Sequence, residues 1–147
     1  MKATRTANVT WDGDLLSGSG TVESVSSGVF GGLPVSWASR TEAPAGRTSP
    51  EELLAAAHAS CFSMALSGAL ARAGTRATRL HVSATVTFDK LEEGWRVTSS
   101  AIAVRGTVPG ASAEGFATAA EGARAGCPIS RALAGNVALT VEAILEA

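Results

Sequence analysis

Neither sign of charge dominates this chain. Its 147 residues carry 12 Lys and Arg against 13 Asp and Glu, a formal net charge of −1, which excludes the basic stripe that phosphate backbones select and a polybasic membrane patch. Nucleic acid is not an expected partner. Cysteine is scarce, with two in the chain and no C-x-x-C, so there is no disulfide framework and too few ligands for a structural zinc. Tyrosine is absent. The opening Met1 to Asn8 is polar and has no apolar run of signal-peptide length, which points to a reducing cytoplasm, where thiols are free, metal-bound or catalytic. The one long uncharged run, Leu53 to Ala71, has 19 residues, near the ~20 that a bilayer requires. It is mostly Ala, Ser and Gly, contains a His and a Cys, and follows Glu51-Glu52 rather than basic residues. It reads as a helix of a soluble protein, buried nearly all round, and not as a membrane span.

What is present suits one compact domain over residues 1–147. Hydrophobic residues make up 46% of the chain, and a chain of roughly 150 residues buries about 68–70% of its unfolded surface, enough for a core held by packing alone. The first 40 residues alternate short β-type runs, Ala7–Trp11, Thr21–Val25 and Val35–Trp37, with Gly-rich punctuation, predicting an antiparallel meander. After a loop through Pro44 and Gly46, Ser49-Pro50-Glu51-Glu52 combines a capping-box serine, a proline at the first helical position and acids over the helix N-terminus. The helix it opens is predicted to reach Ala73, with Gly74 as a left-handed cap.

Strict alternation of Leu80, Val82, Ala84, Val86 and Phe88 with polar residues then predicts a strand, and an acidic turn leads to a partner starting at Trp95. The apolar phase of that partner shifts between Val97 and Ile102, which places a bulge near Ser99-Ser100. A helix capped by Ser112 and reaching about Ala125, a short turn after Cys127-Pro128, and a last strand alternating through Val137, Leu139, Val141 and Ala143 complete the order. The expected class is α+β, with antiparallel sheet around one long apolar helix.

Four residues stand out chemically. Cys61, midway along the long helix, fits a small packing hydrophobe, and it also fits a nucleophile if a cation offsets an apolar site that raises its pKa. His58 is three residues earlier on the same helix face, where a base or a second metal ligand could stand, but two ligands make no zinc site and its plainer reading is a packing residue. Cys127 precedes Pro128, which makes it an N-cap thiol facing unpaired N–H groups; otherwise it is a free turn cysteine. Glu51 has a sufficient role at the helix dipole.

The pattern Ser49-Pro50-Glu51-Glu52-Leu53-Leu54 through His58-Ala59-Ser60-Cys61-Phe62-Ser63-Met64-Ala65-Leu66, followed by Gly126-Cys127-Pro128-Ile129-Ser130, resembles the OsmC/Ohr family of thiol-dependent peroxidases, its OsmC branch above all. The resemblance runs over almost the whole chain. It implies an OsmC-like fold, an intertwined cytoplasmic homodimer, reduction of organic hydroperoxides and recycling by a thiol or lipoyl-type dithiol, with no cofactor or metal. It makes Cys61 the peroxidatic cysteine, Cys127 the resolving one, Arg40 the arginine that supports the thiolate, with Arg47 its rival, and Glu51 the acidic partner. Leu33-Pro34-Val35-Ser36 stands where such chains often carry an aromatic residue. Glu51 and Cys61 are ten residues apart, about 15 Å along one helix, so they cannot meet within it; a twofold crossing of two such helices near Ala56 would bring one to the other.

Overall fold

The computed structural model describes residues 1–146 and divides into two compact units, Met1–Leu53 and the chain from Leu54 onward. The first unit is the predicted meander. Strands β1 (Ala7–Asp12), β2 (Ser19–Val25) and β3 (Leu33–Val35) form one sheet in chain order, antiparallel throughout. Trp11 explains one of its glycines: a Cβ on Gly20, which pairs with Trp11 across the ladder, would stand 2.7 Å from the indole. Val35 ends the third strand earlier than predicted, and the short helix α1 (Ala38–Thr41), with Trp37 at its N-cap, stands before the expected loop and was not foreseen. Local hydroxyl bonds cause that turn, since Ser36 Oγ accepts from the Ser39 N–H at 3.1 Å and Ser39 Oγ donates to the Thr48 carbonyl at 2.9 Å.

Helix α2 (Pro50–Arg72) starts and stops as its sequence dictates. Ser49 Oγ accepts from the Glu52 N–H at 3.1 Å, one arm of the capping box; the Glu52 carboxylate accepts from the Thr48 hydroxyl at 3.0 Å. At the other end Gly74 has φ +87°, its N–H donates to the Ala71 carbonyl, and the Thr75 N–H reaches back to Leu70. Those two bonds and the left-handed glycine make a Schellman cap.

The second unit holds strands β4 (Arg79–Leu91), β5 (Gly94–Thr107) and β6 (Ala138–Glu146), with helices α3 (Ala113–Gly126) and α4 (Pro128–Leu133) between β5 and β6. Strand β4 alternates as predicted from Leu80 to Phe88, each apolar position half-buried and each polar one between them exposed, while Leu91 at its end is exposed. The bulge falls on β5, where Thr87 pairs with Ser99 and Phe88 with Val97, leaving Thr98 as the extra residue, one place before the predicted pair. Its effect is to turn Ser100, Ile102 and Val104 inward together. The sheet is antiparallel between β4 and β5 but parallel between β5 and β6, a departure from the all-antiparallel expectation. The physical reason is the connection: two helices carry the chain across, as parallel pairing requires.

The core of this unit is one cluster. Phe62, Leu66 and Leu70 of α2, Ile102 and Val104 of β5, and Phe116, Ala120 and Ala123 of α3 pack around the buried Cys127. On α2 the buried positions His58, Phe62, Leu66 and Leu70 recur every fourth residue and form a single stripe. The expectation of a helix buried all round is therefore corrected: Ala56, Ser60, Met64 and Ser67 are exposed. One sheet and one helix of the same chain cover only one side of a 23-residue cylinder.

Candidate active site

The first unit presents an arginine fixed by a carboxylate. Arg40, from α1, donates from Nη2 to Glu51 Oε1 at 2.6 Å and from Nε to both Glu51 oxygens at 3.2 Å, a fork that lysine could not make. Its guanidinium also lies over the Trp37 ring, 5.5 Å from the centroid. Glu51 is buried at the start of α2, while Arg40 is half-buried. A cavity of about 430 Å³ in the same unit is lined by Val9, Trp11, Leu15, Val35, Trp37 and Arg40, so apolar walls meet one cationic group. The rival Arg47 is exposed in the loop, its backbone N–H on the Pro44 carbonyl.

The second unit presents two thiols. Cys127 is fully buried as the N-cap of α4, and its sulfur accepts from the Ser130 N–H at 3.3 Å, the N-cap geometry that Pro128 predicts. Cys61 is half-buried on α2, packed against the same cluster. Both are free thiols, and Cys127 lies within hydrogen-bond reach of Cys61. Burial pushes the Cys61 thiol above its ordinary pKa; the Ile129 N–H works against that, and the neighbouring Cys127 adds to the rise. The fold therefore brings together the two cysteines, 66 positions apart, and separately brings Arg40 to Glu51.

His58 sits on the Cys61 face of α2, yet its ring nitrogens belong to two serines. Nδ1 is 2.6 Å from Ser100 Oγ and Nε2 is 2.8 Å from Ser130 Oγ. Burial lowers its pKa, which favours the neutral ring. Sequence reasoning missed both serines as functional candidates. Ser130 had a signal, its place three residues after an N-cap cysteine; Ser100 had none, because the bulge at Thr98 is what turns it inward. Among the described residues no cluster of three or more His, Cys, Asp or Glu side chains could hold a metal.

With these positions fixed, comparison with known proteins is decisive for the family. The sequence profile described as OsmC-like protein matches residues 43–142. This chain belongs to the OsmC-like protein family. It is 43% identical over 129 residues to the peroxiredoxin OsmC of Escherichia coli K12, a match covering 88% of this chain and 89% of the relative. The peroxiredoxin OsmC of Shigella flexneri matches to the same extent. Among solved structures, the organic hydroperoxide resistance protein OhrB of Bacillus subtilis superposes with a TM-score of 0.72 at 26% identity, covering 94% of this chain and 97% of its own. An organic hydroperoxide resistance protein from Elizabethkingia anophelis gives 0.74 at 23% identity, covering 99% of this chain and 100% of its own, a likeness of fold. The OsmC-like family fold expected from the two cysteine motifs is thus the fold observed, with α+β architecture, two three-stranded sheets and one long helix.

Proposed function

We propose that this chain, by family a thiol-dependent peroxidase, reduces organic hydroperoxides at Cys61 and resolves the product with Cys127. The observation that carries the reading is the meeting of the two thiols, one half-buried on α2 and one buried as an N-cap. The Cys61 thiolate attacks the distal peroxide oxygen; an S–O bond forms, the O–O bond breaks and the alcohol leaves, giving a sulfenic acid. Cys127 then displaces hydroxide as a Cys61–Cys127 disulfide, which an external thiol or a lipoyl-type dithiol reduces by exchange. No cofactor takes part.

Burial alone would leave Cys61 protonated, so the first step needs a cation. Arg40 is assigned that role, oriented by Glu51, because its guanidinium is fixed by a carboxylate at the edge of an apolar cavity. A guanidinium can hold a thiolate and hydrogen-bond the peroxide oxygens. The apolar walls favour an alkyl chain over hydrogen peroxide. The working unit is a cytoplasmic homodimer in which Glu51 and Arg40 of one subunit serve Cys61 of the other, a reading supported by the ten-residue spacing of Glu51 and Cys61 on a continuous helix.

The test is consumption of cumene hydroperoxide and hydrogen peroxide with excess dithiol. The wild type is expected to consume the organic peroxide faster, Cys61→Ser to consume neither, and Cys127→Ser to be oxidised once and turn over slowly. Unchanged consumption by Cys61→Ser would overturn the assignment.

A further inference from the structure

The thiol proton of Cys127 has no solvent to go to. Cys127, Ser130, His58 and Ser100 each have 0% exposure. Yet the resolving step on which this inference rests needs Cys127 to lose that proton, and attack on sulfur is made by thiolate. The nearest acceptor is the Ser130 hydroxyl, 3.1 Å from Cys127 Sγ, and behind it stands His58 Nε2 at 2.8 Å. The far nitrogen, Nδ1, is held by Ser100 Oγ at 2.6 Å.

The donors and acceptors in this run fix its direction. With Cys127 donating to Ser130, the Ser130 proton points at Nε2, which must then be the unprotonated nitrogen, and Nδ1–H donates to Ser100. Reversing the Cys127–Ser130–His58 bonds yields an equally satisfied arrangement: Nε2–H donates to Ser130 and Ser130 donates to a Cys127 thiolate, which also keeps the Ser130 N–H at 3.3 Å. The two states differ by one proton carried from sulfur to imidazole.

We propose that Ser130 and His58 form the proton path of the resolving cysteine. Ser130 Oγ takes the Cys127 proton as it passes its own to His58 Nε2. The Cys127 sulfur then bonds to the Cys61 sulfur, the S–O bond of the sulfenic acid breaks, and the departing hydroxide recovers the proton as water. Cys127 is oxidised, Cys61 is reduced from the sulfenic level to the disulfide, and the peroxide consumed in the first step supplied the oxidising equivalent. Ser130 touches a reacting atom and is catalytic; His58 acts through it and is a positioning residue, oriented by Ser100. His58 thus serves Cys127 through Ser130, although it is Cys61 that shares its helix.

The experiment mixes reduced protein with one equivalent of cumene hydroperoxide in the absence of reductant. It follows Cys61 sulfenic acid by dimedone trapping and the disulfide by non-reducing mass spectrometry. Ser130→Ala and His58→Gln are expected to form sulfenic acid at the wild-type rate but to close the disulfide about a hundredfold more slowly, the scale of a lost general base. Glutamine can keep hydrogen bonds to both serines yet cannot take up the proton, so a merely structural role for His58 predicts wild-type closure in His58→Gln, and that result would overturn the proposal. Should His58→Gln not fold, the serine pair decides: Ser130→Thr restores closure if the hydroxyl carries the proton, and wild-type closure in Ser130→Ala refutes it. A wild type that forms no sulfenic acid would instead sink the peroxidase reading, and the relay with it.

Discussion

At the scale of single residues, the chemistry depends on opposing a burial penalty. Cys61 is pushed up in pKa by burial, so a reactive fraction at neutral pH requires a cation to offset that penalty. With Arg40 in that role, Arg40→Met removes the charge that favours thiolate; the pH needed for half-maximal Cys61 oxidation then moves alkaline by about 1–3 units. Stopped-flow oxidation from pH 5 to 10 checks this. Arg40→Lys keeps the charge but loses the fork that meets both Glu51 oxygens, so a loss of about tenfold or more is expected even where its pH profile is unmoved. Arg47→Met provides the contrast, because its side chain is exposed in the loop; a large effect there and none at Arg40 would exchange the two assignments. The residue scale is also where sequence reading was most uneven. The family resemblance nominated Cys61, Cys127 and Glu51 by motif and Arg40 by its distance from the helix, whereas nothing near Ser100 in the chain marks it as the partner of a helix residue 42 positions away.

At the scale of elements, local signals were reliable where backbone geometry alone sets the outcome. The α2 termini are such a case. Gly74 adopts φ +87° and a Cβ there would meet nothing within 4 Å, so Gly74→Ala should lose only the backbone term, about 1 kcal/mol. Gly106 is the opposite case. It has no positive φ, but a Cβ on this β5 residue would stand 2.4 Å from the ring of Phe116, which is fully buried on α3. Gly106→Ala should therefore cost more than Gly74→Ala, about 2–3 kcal/mol from overpacking. Urea unfolding of both variants at one protein concentration tests the order; equal losses would mean that the ring moves aside freely. The same division explains the fold features that were not foreseen. The strand β6 looked like any alternating strand, and its parallel pairing is a property of the α3–α4 crossover and not of its residues.

At the scale of the whole molecule, the surface of α2 is the feature that asks for a partner. The helix is long and apolar enough to cross a membrane, yet only 22% of its most apolar stretch is buried among the described residues. Its open face runs through Ala56, Ser60, Met64 and Ser67, small residues beside a methionine that is 71% exposed. Exposed large apolar side chains recur in both units, including Leu16 and Val29 in the first and Trp95 and Ile144 in the second. Exposed apolar side chains gathered on one surface mark an interaction site, and small residues let a second copy of the same helix approach closely. The proposed dimer predicts sedimentation at about twice 14.7 kDa, and Met64→Arg is expected to shift the protein toward monomer and lower peroxidase activity with it. Monomers that retain full activity would remove the shared-site reading.

The sequence by itself determined whatever is decided between near neighbours in the chain. The ends of α2, the β4 alternation, the phase shift in β5 and the N-cap position of Cys127 each arise from residues within a turn or two of one another, where sterics and hydrogen-bond stereochemistry leave little choice. The tertiary structure alone decided which distant groups meet. Cys61 stands beside Cys127 because α2 and α4 pack on one core, and the His58 ring lies between Ser100 and Ser130 because a bulge and a crossover bring β5 and α4 to the same side of α2. A side chain's partners across 42 or 72 positions are set by how the elements close around their shared apolar interior, which no local pattern encodes.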